Sequence, residues 1–258
     1  MKLLNFNYYW RLLVTPISWI IYGLGGIITS LTIFPIIYIA PIKKSLKTKI
    51  SRYVVKFLFR SFIWIIKNIG FLTYEIQNIE KLYNRDSLLI FANHPTLLDI
   101  VFLISMTNLP NCVVKKDVWC NPVMFCMMRS LGYIKNSGDP EDVLSQCVDS
   151  LKQGDSLILF PEGTRTEPNE TLVLKRGLAH IALRAKKNLT PISISCKPIT
   201  LTKQHKWYNI PLEETPHYCI TIRDDIKLGE FSHLNKSRPI TARLLTKHLQ
   251  LSLQTKEH

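Results

Sequence analysis

The sequence predicts an α/β protein: a mixed, largely parallel sheet flanked by helices, preceded by a membrane-embedded helical segment. Three observations carry this. From Leu72 onward, apolar runs of strand length alternate with helical patterns, the arrangement of a sheet covered by helices. The 31 residues between Arg11 and Lys43 contain no charge. Polar residues with chemical potential follow directly on two of the most apolar strands, at His94 and at Glu162.

The N-terminal segment comes first. Its uncharged run holds Ile17, Trp19, Ile20, Ile21, Ile27, Ile28, Leu31, Ile33, Phe34, Ile36 and Ile37. About 20 apolar residues suffice to span a bilayer. Pro16, Pro35 and the cluster Gly23, Gly25 and Gly26 interrupt the run. Two arrangements fit: one tilted span over 17–39, or a re-entrant hairpin turning at the glycines. The hairpin's arms would rise only about 16–21 Å, short of the roughly 30 Å core. A cleaved signal peptide does not fit, because the apolar region is too long and no small-x-small site precedes Pro41.

Lys43, Lys44, Lys47, Lys49, Arg52, Lys56 and Arg60 follow, whereas only Lys2 and Arg11 precede. The positive-inside bias therefore assigns everything after the run to the cytoplasmic face. Over 53–72, Lys56, Arg60 and Lys67 share one helical face, and Phe57, Leu58, Phe62, Trp64, Ile65 and Ile66 cover most of the rest. Such a helix suits the bilayer interface. Residues 1–71 are thus expected to anchor the chain, and 72–258 to form the catalytic domain.

Within 72–258, strands are expected at 73–76, 87–91, 112–115, 133–135, 156–160, 190–196 and 217–223. Helices are expected at 96–106, 122–130, 140–153, 176–185 and 241–253. Pro140, Glu141 and Asp142 are a sound helix opening, a proline followed by acids in the first turn. The polar stretch 203–215 reads as an excursion over the surface.

His94 and Asp99 are separated by four residues, between the apolar runs Leu88–Phe91 and Ile100–Leu103. A neutral imidazole is a competent general base near pH 7. A carboxylate on its other ring nitrogen fixes the tautomer and stabilises the imidazolium that forms. The bland alternative is a loop histidine beside an aspartate near a helix start. A second cluster tips the balance. Pro161-Glu162-Gly163-Thr164-Arg165 follows the apolar run Leu157-Ile158-Leu159-Phe160. Gly163 permits close approach of a ligand to the backbone, and Arg165 offers a planar fork for phosphate or carboxylate.

These runs resemble the glycerolipid acyltransferases typified by 1-acylglycerol-3-phosphate acyltransferase. Asn93-His94-Pro95-Thr96-Leu97-Leu98-Asp99 matches that family's N-H-x-x-x-x-D motif, and Phe160-Pro161-Glu162-Gly163-Thr164-Arg165 its F-P-E-G-T-R motif. Leu174-Lys175-Arg176-Gly177 and Thr190-Pro191-Ile192-Ser193 resemble its later elements. The likeness runs over about 72–197. It implies acyl transfer from a thioester, on coenzyme A or acyl carrier protein, to a lysophospholipid hydroxyl. His94 would be the base and Asp99 would hold it. Asn93, Glu162, Gly163, Thr164, Arg165 and Gly177 would contact substrate, with Lys115, Lys135 and Lys175 as further anion contacts. No bound cofactor and no metal are implied. The pattern departs in one place. The family's second motif carries an arginine after a glycine and a few apolar residues, but here Gly132-Tyr133-Ile134 is followed by Lys135. The acceptor is therefore left open between a glycerophosphate lipid and a glycolipid or lipid-linked pigment.

Composition agrees with a membrane-surface enzyme. The chain has 33 Lys+Arg against 19 Asp+Glu, a net charge of +14. Its cations cluster beside apolar segments and no nucleic-acid motif accompanies them, so membrane lipids and acidic acyl carriers are the expected partners. The six cysteines form no C-x-x-C pair or zinc spacing, which fits reduced thiols. A thioesterase would use the same base on water, and a non-catalytic lipid-binding protein would need neither polar cluster.

Overall fold

The structure is a computed structural model that describes residues 6–166, 173–204, 214–232 and 237–254. Its centre is a seven-stranded sheet in the order β1-β7-β6-β2-β5-β3-β4. The strands are β1 (Thr73–Gln77), β2 (Leu89–Ala92), β3 (Asn111–Val114), β4 (Ile134–Lys135), β5 (Leu157–Leu159), β6 (Leu189–Lys197) and β7 (His217–Ile222). Only the β6–β7 pair is antiparallel; β1–β7, β2–β5, β2–β6, β3–β4 and β3–β5 are parallel. All seven predicted strands are present, with ends displaced by a residue or two.

The central strand shows why these residues form a sheet. Leu89, Ile90, Phe91 and Ala92 are each fully buried. Side chains alternate across a strand, and here Ile90 and Ala92 enter one apolar core while Leu89 and Phe91 enter the other. A run apolar on both faces can be satisfied only between two helical layers.

One layer contains α1 (Phe6–Leu31), α2 (Ile33–Ile39), α3 (Lys44–Asn68), α4 (Asp99–Met106) and α6 (Phe125–Leu131). The other contains α7 (Pro140–Lys152), α8 (Gly177–Ala185) and α10 (Arg238–Gln254). Two short helices, α5 (Lys116–Trp119) and α9 (Gly229–Ser232), and single 3-10 turns at Ile79–Leu82 and Pro122–Met124 complete the described elements. The helix caps follow the sequence. Asp139 accepts from the Glu141 N–H at 3.0 Å at the start of α7. Gly132, at φ +63°, ends α6 in the left-handed conformation.

The glycines do not turn the N-terminal run. α1 continues through Pro16, Gly23, Gly25 and Gly26, and the break falls at Thr32. Of the two arrangements, a hairpin turning at the glycines is not formed; one long helix and a short one occupy the run. The stretch Tyr9–Ile39 is long and apolar enough to cross a membrane. Both ends of α1 are nevertheless tied to the rest of the fold. Trp10 Nε1 donates to the Ile69 carbonyl at 2.7 Å, Arg11 donates to the Glu214 carbonyl, and Ser30 Oγ meets Met127 Sδ at 3.4 Å.

The cationic helix α3 begins at Lys44, nine residues before the expected start, and ends at Asn68. Val55, Phe62, Ile63 and Ile66 form its buried stripe, while Tyr53, Phe57 and Trp64 face outward. Arg52 differs from its basic neighbours: it is buried. Its Nη1 lies 2.8 Å from Asp155 Oδ1 and its Nη2 3.2 Å from Oδ2, and Nε and Nη1 donate to the carbonyls of Leu131 and Leu109. It pins α3 to the segments that enter β3 and β5.

Candidate active site

Parallel pairing brings the carboxyl ends of β2, β5, β3 and β4 to one edge of the sheet, the edge where ligands of α/β folds bind. His94 follows β2, Glu162–Arg165 follows β5, Lys115 follows β3 and Lys135 ends β4. Val114 and Lys135 are in register. The polar residues singled out in sequence therefore line up along that edge.

His94 is held on three sides. Its Nδ1 lies 2.9 Å from Asp99 Oδ2. Its ring stacks on Phe160 at 4.1 Å between centroids and 19° between planes. Its backbone N–H donates to Glu162 Oε1 at 2.9 Å. With Nδ1 committed, Nε2 is the ring nitrogen left to exchange a proton, on a side chain 19% exposed.

Asp99 opens α4 rather than lying one turn inside it, because the helix starts three residues later than expected. The residues before it form a turn whose groups bond back to the carboxylate. The Thr96 N–H donates to Oδ2 at 2.7 Å and the Thr96 hydroxyl to Oδ1 at 2.5 Å. Tyr218 of β7 donates in turn to the Thr96 hydroxyl at 3.2 Å. Burial pushes the Asp99 carboxyl above the usual carboxylate range, and the bonds from His94 and Thr96 pull it back down. A position at a helix N-terminus also favours its charge.

Glu162 supports the same histidine from the other loop. It is 6% exposed and accepts from the His94 N–H and the Thr166 hydroxyl. Burial raises its carboxyl, while the Thr166 and His94 bonds lower it. Both of its carboxylate oxygens bond groups of the two loops. Asn93 is likewise committed to the scaffold: its amide donates to and accepts from Ile194 of β6, both at 2.7 Å. Both residues, expected to contact substrate, have these polar groups bonded to the histidine turn, its loop and the neighbouring strand.

Gly163, at φ +75°, is exposed, and a Cβ there would fall 2.6 Å from Lys175 Nζ. The lysine thus folds over the glycine. Thr164 is exposed beside it. Arg165 spends Nη1 on the carbonyls of Leu201, at 3.1 Å, and Thr202, at 2.8 Å. Leu201 also accepts from the Leu97 N–H, so one carbonyl ties the arginine to the histidine turn. Gly177 opens α8.

Four contributors were not legible in sequence: Thr96, Phe160 as a ring support, Tyr218 and Arg129. Arg129 comes from α6, with Cζ 5.1 Å from the Trp119 ring, and Lys135 Nζ lies 5.6 Å from the same ring. An arginine therefore reaches the Lys135 neighbourhood from the helix upstream of the run that lacks one. An apolar cavity of about 280 Å³ also lies between α1, α3 and the turn before α6. Gly23, Gly25 and Gly26 line it, and a Cβ at any of them would meet open space.

Residues 73–195 match the family model described as Acyltransferase. The chain is 30% identical over 125 residues to the chloroplastic 1-acyl-sn-glycerol-3-phosphate acyltransferase BAT2 of Brassica napus, covering 46% of this chain and 36% of that protein. It is 25% identical over 252 residues to lyso-ornithine lipid O-acyltransferase of Brucella abortus, covering 88% and 90%. The match spans about a third of the length of the two chloroplastic relatives. In fold the chain is similar to the crystal structure of the 1-acyl-sn-glycerophosphate acyltransferase PlsC from Thermotoga maritima, with a TM-score of 0.62 and 17% identity over 96% of this chain and 98% of that one.

Proposed function

We propose that this relative of the glycerolipid acyltransferases moves a fatty acyl group from a thioester to a hydroxyl of a lysophospholipid-type acceptor at a membrane surface. The observation that carries the reading is the His94–Asp99 pair, bonded at 2.9 Å with Nε2 free, beside the Glu162–Arg165 loop. In this reading Nε2 takes the acceptor's hydroxyl proton as the oxygen attacks the thioester carbonyl. Asp99 stabilises the imidazolium. The tetrahedral intermediate then collapses, the C–S bond breaks and the leaving thiolate takes the proton from Nε2. The balance closes without an acyl-enzyme. General base catalysis of this kind is typically worth about 10²–10⁴ in rate. Gly163, Thr164, Lys175 and the unspent part of Arg165 would hold an anionic group of the acceptor, with Lys115 and Lys135 further along the edge.

A second acceptor class is favoured by one specific departure. The second-motif arginine is replaced by Lys135, and the Brucella relative, matched over most of both chains, is named for a lyso-ornithine lipid. A lysine is a point charge without the bidentate fork, although Arg129 can add one from α6. The distinguishing experiment incubates the purified chain with labelled acyl-coenzyme A or acyl carrier protein and a panel of lysophosphatidate, lyso-ornithine lipid and lysoglycolipid, with products read by mass spectrometry. Acylated lysophosphatidate supports the first acceptor, and either of the others the second. Free fatty acid alone, independent of acceptor, would overturn acyl transfer in favour of hydrolysis.

For the membrane end, tethering of α1 at both ends supports immersion of the α1–α3 flank from one side of the bilayer. The cations from Lys43 to Arg60 support the cytoplasmic side.

A further inference from the structure

We propose that the cleft between α7 and α8 binds the phosphate-bearing pantetheine arm of the thioester donor; this rests on the acyl-transfer reading above. The cleft has a volume of about 520 Å³, within the range of small-molecule sites. It is bounded at one end by Lys175 and Gly177 and at the other by Asn136 and Gly138. The Lys175 end adjoins the catalytic loop through the close approach of its ammonium to Gly163. The Asn136 end directly follows Lys135 of β4, and the Asn136 N–H bonds the Val114 carbonyl of β3 at 2.9 Å.

Charge and position both select the donor. His180 and Arg184 stand one turn apart on α8 and line the wall. The acid present, Glu141, is ion-paired to Arg184, with a second contact of 3.2 Å. A phosphate entering the cleft therefore meets the Lys175 ammonium at one end and the Glu141-paired Arg184 guanidinium on the wall. β4 lies three strands from β2, about 14 Å at the usual strand spacing. An acceptor's phosphate sits only a few bonds from its free hydroxyl, so it can meet a lysine reaching in from that edge but cannot enter the cleft beyond it. The phosphate of a pantetheine thioester is separated from its carbonyl by the whole arm and can. The cleft also belongs to the α7–α8–α10 layer, on the opposite face of the sheet from α1–α3. A water-soluble donor thus approaches from the aqueous face and a lipid acceptor from the other.

Coenzyme A and acyl carrier protein share this arm, so both are titrated calorimetrically into the full chain in detergent micelles, with phosphate-free pantetheine as the control. The wild type is compared with Arg184→Gln and Asn136→Asp, which alter different walls of the cleft. Binding of coenzyme A or of holo acyl carrier protein, weakened about tenfold in each variant, as expected for loss of one charge-assisted bond at Arg184 and for a new negative charge at position 136, supports the assignment. Which of the two binds identifies the donor. Equal weakening of pantetheine, unchanged affinity in both variants, or binding of neither carrier overturns it. Binding is read without turnover. A chain that binds a carrier in the cleft yet transfers no acyl group overturns the acyl-transfer reading and leaves the cleft assignment standing.

Discussion

At the scale of single residues, the site places a charge where burial opposes it. Asp99 is fully buried, and burial raises its folded pKa above the unfolded value. The folded chain therefore holds a proton there more tightly than the unfolded chain. Stability from this group is greatest below the ordinary carboxylate range and falls as pH rises through the folded pKa. Asp99→Asn keeps the shape and removes the charge. It is expected to melt at or above the wild-type temperature at pH 8, with a flatter pH dependence above the carboxylate range, while transfer falls on the order of 10³-fold or more. A lower melting temperature at pH 8 would contradict the assigned cost of the charge. Gly163→Ala meets two obstacles, a positive φ and the Lys175 ammonium. The left-handed conformation costs a non-glycine residue about 1–2 kcal/mol. The variant should fold, but with a raised acceptor KM in steady-state kinetics. The pair His94/Asp99 was legible because its spacing and apolar flanks are local. Thr96 and Tyr218 were not, because a hydroxyl from β7 reaches the turn only through the β6–β7 hairpin pairing, which no local pattern encodes.

At the scale of elements, the strands were legible because each is a short apolar run bounded by polar or turn residues, as Leu89–Ala92 shows. The short helix at Lys116–Trp119 and the 3-10 turn at Ile79–Leu82 were not, since four residues are too few to display a helical period. Arg52 was misread for a related reason. Sequence counts it among the cations that follow the apolar run, but it falls on the buried stripe of α3 and meets Asp155. Removing one partner of such a pair leaves the other uncompensated. Asp155 is partly exposed, at 33%, which moderates the loss. Arg52→Ala is expected to lower stability by about 2–3 kcal/mol, read by chemical denaturation in detergent. A change within 0.5 kcal/mol would show that α3 is held by its apolar stripe alone.

At the scale of the whole molecule, the sheet divides two environments. One face carries α1–α3, the apolar cavity and the outward Tyr53, Phe57 and Trp64; the other carries the cleft between α7 and α8. If the α1–α3 flank is immersed from one side, Tyr9→Cys and Ile39→Cys are labelled by an impermeant maleimide from the same side of a sealed vesicle as the exposed Cys120. Labelling of the two from opposite sides would establish a full crossing. The catalytic claim rests on His94, which joins both loops at the carboxyl edge of the sheet. Its most direct test is acyl transfer from a labelled thioester to the lysolipid that the panel identifies, by wild type and by His94→Ala in the same vesicles. The variant is expected to keep the wild-type melting temperature and lose at least about 99% of transfer. Retention of more than a few per cent of wild-type transfer in the folded variant would contradict the assignment of His94 as the base.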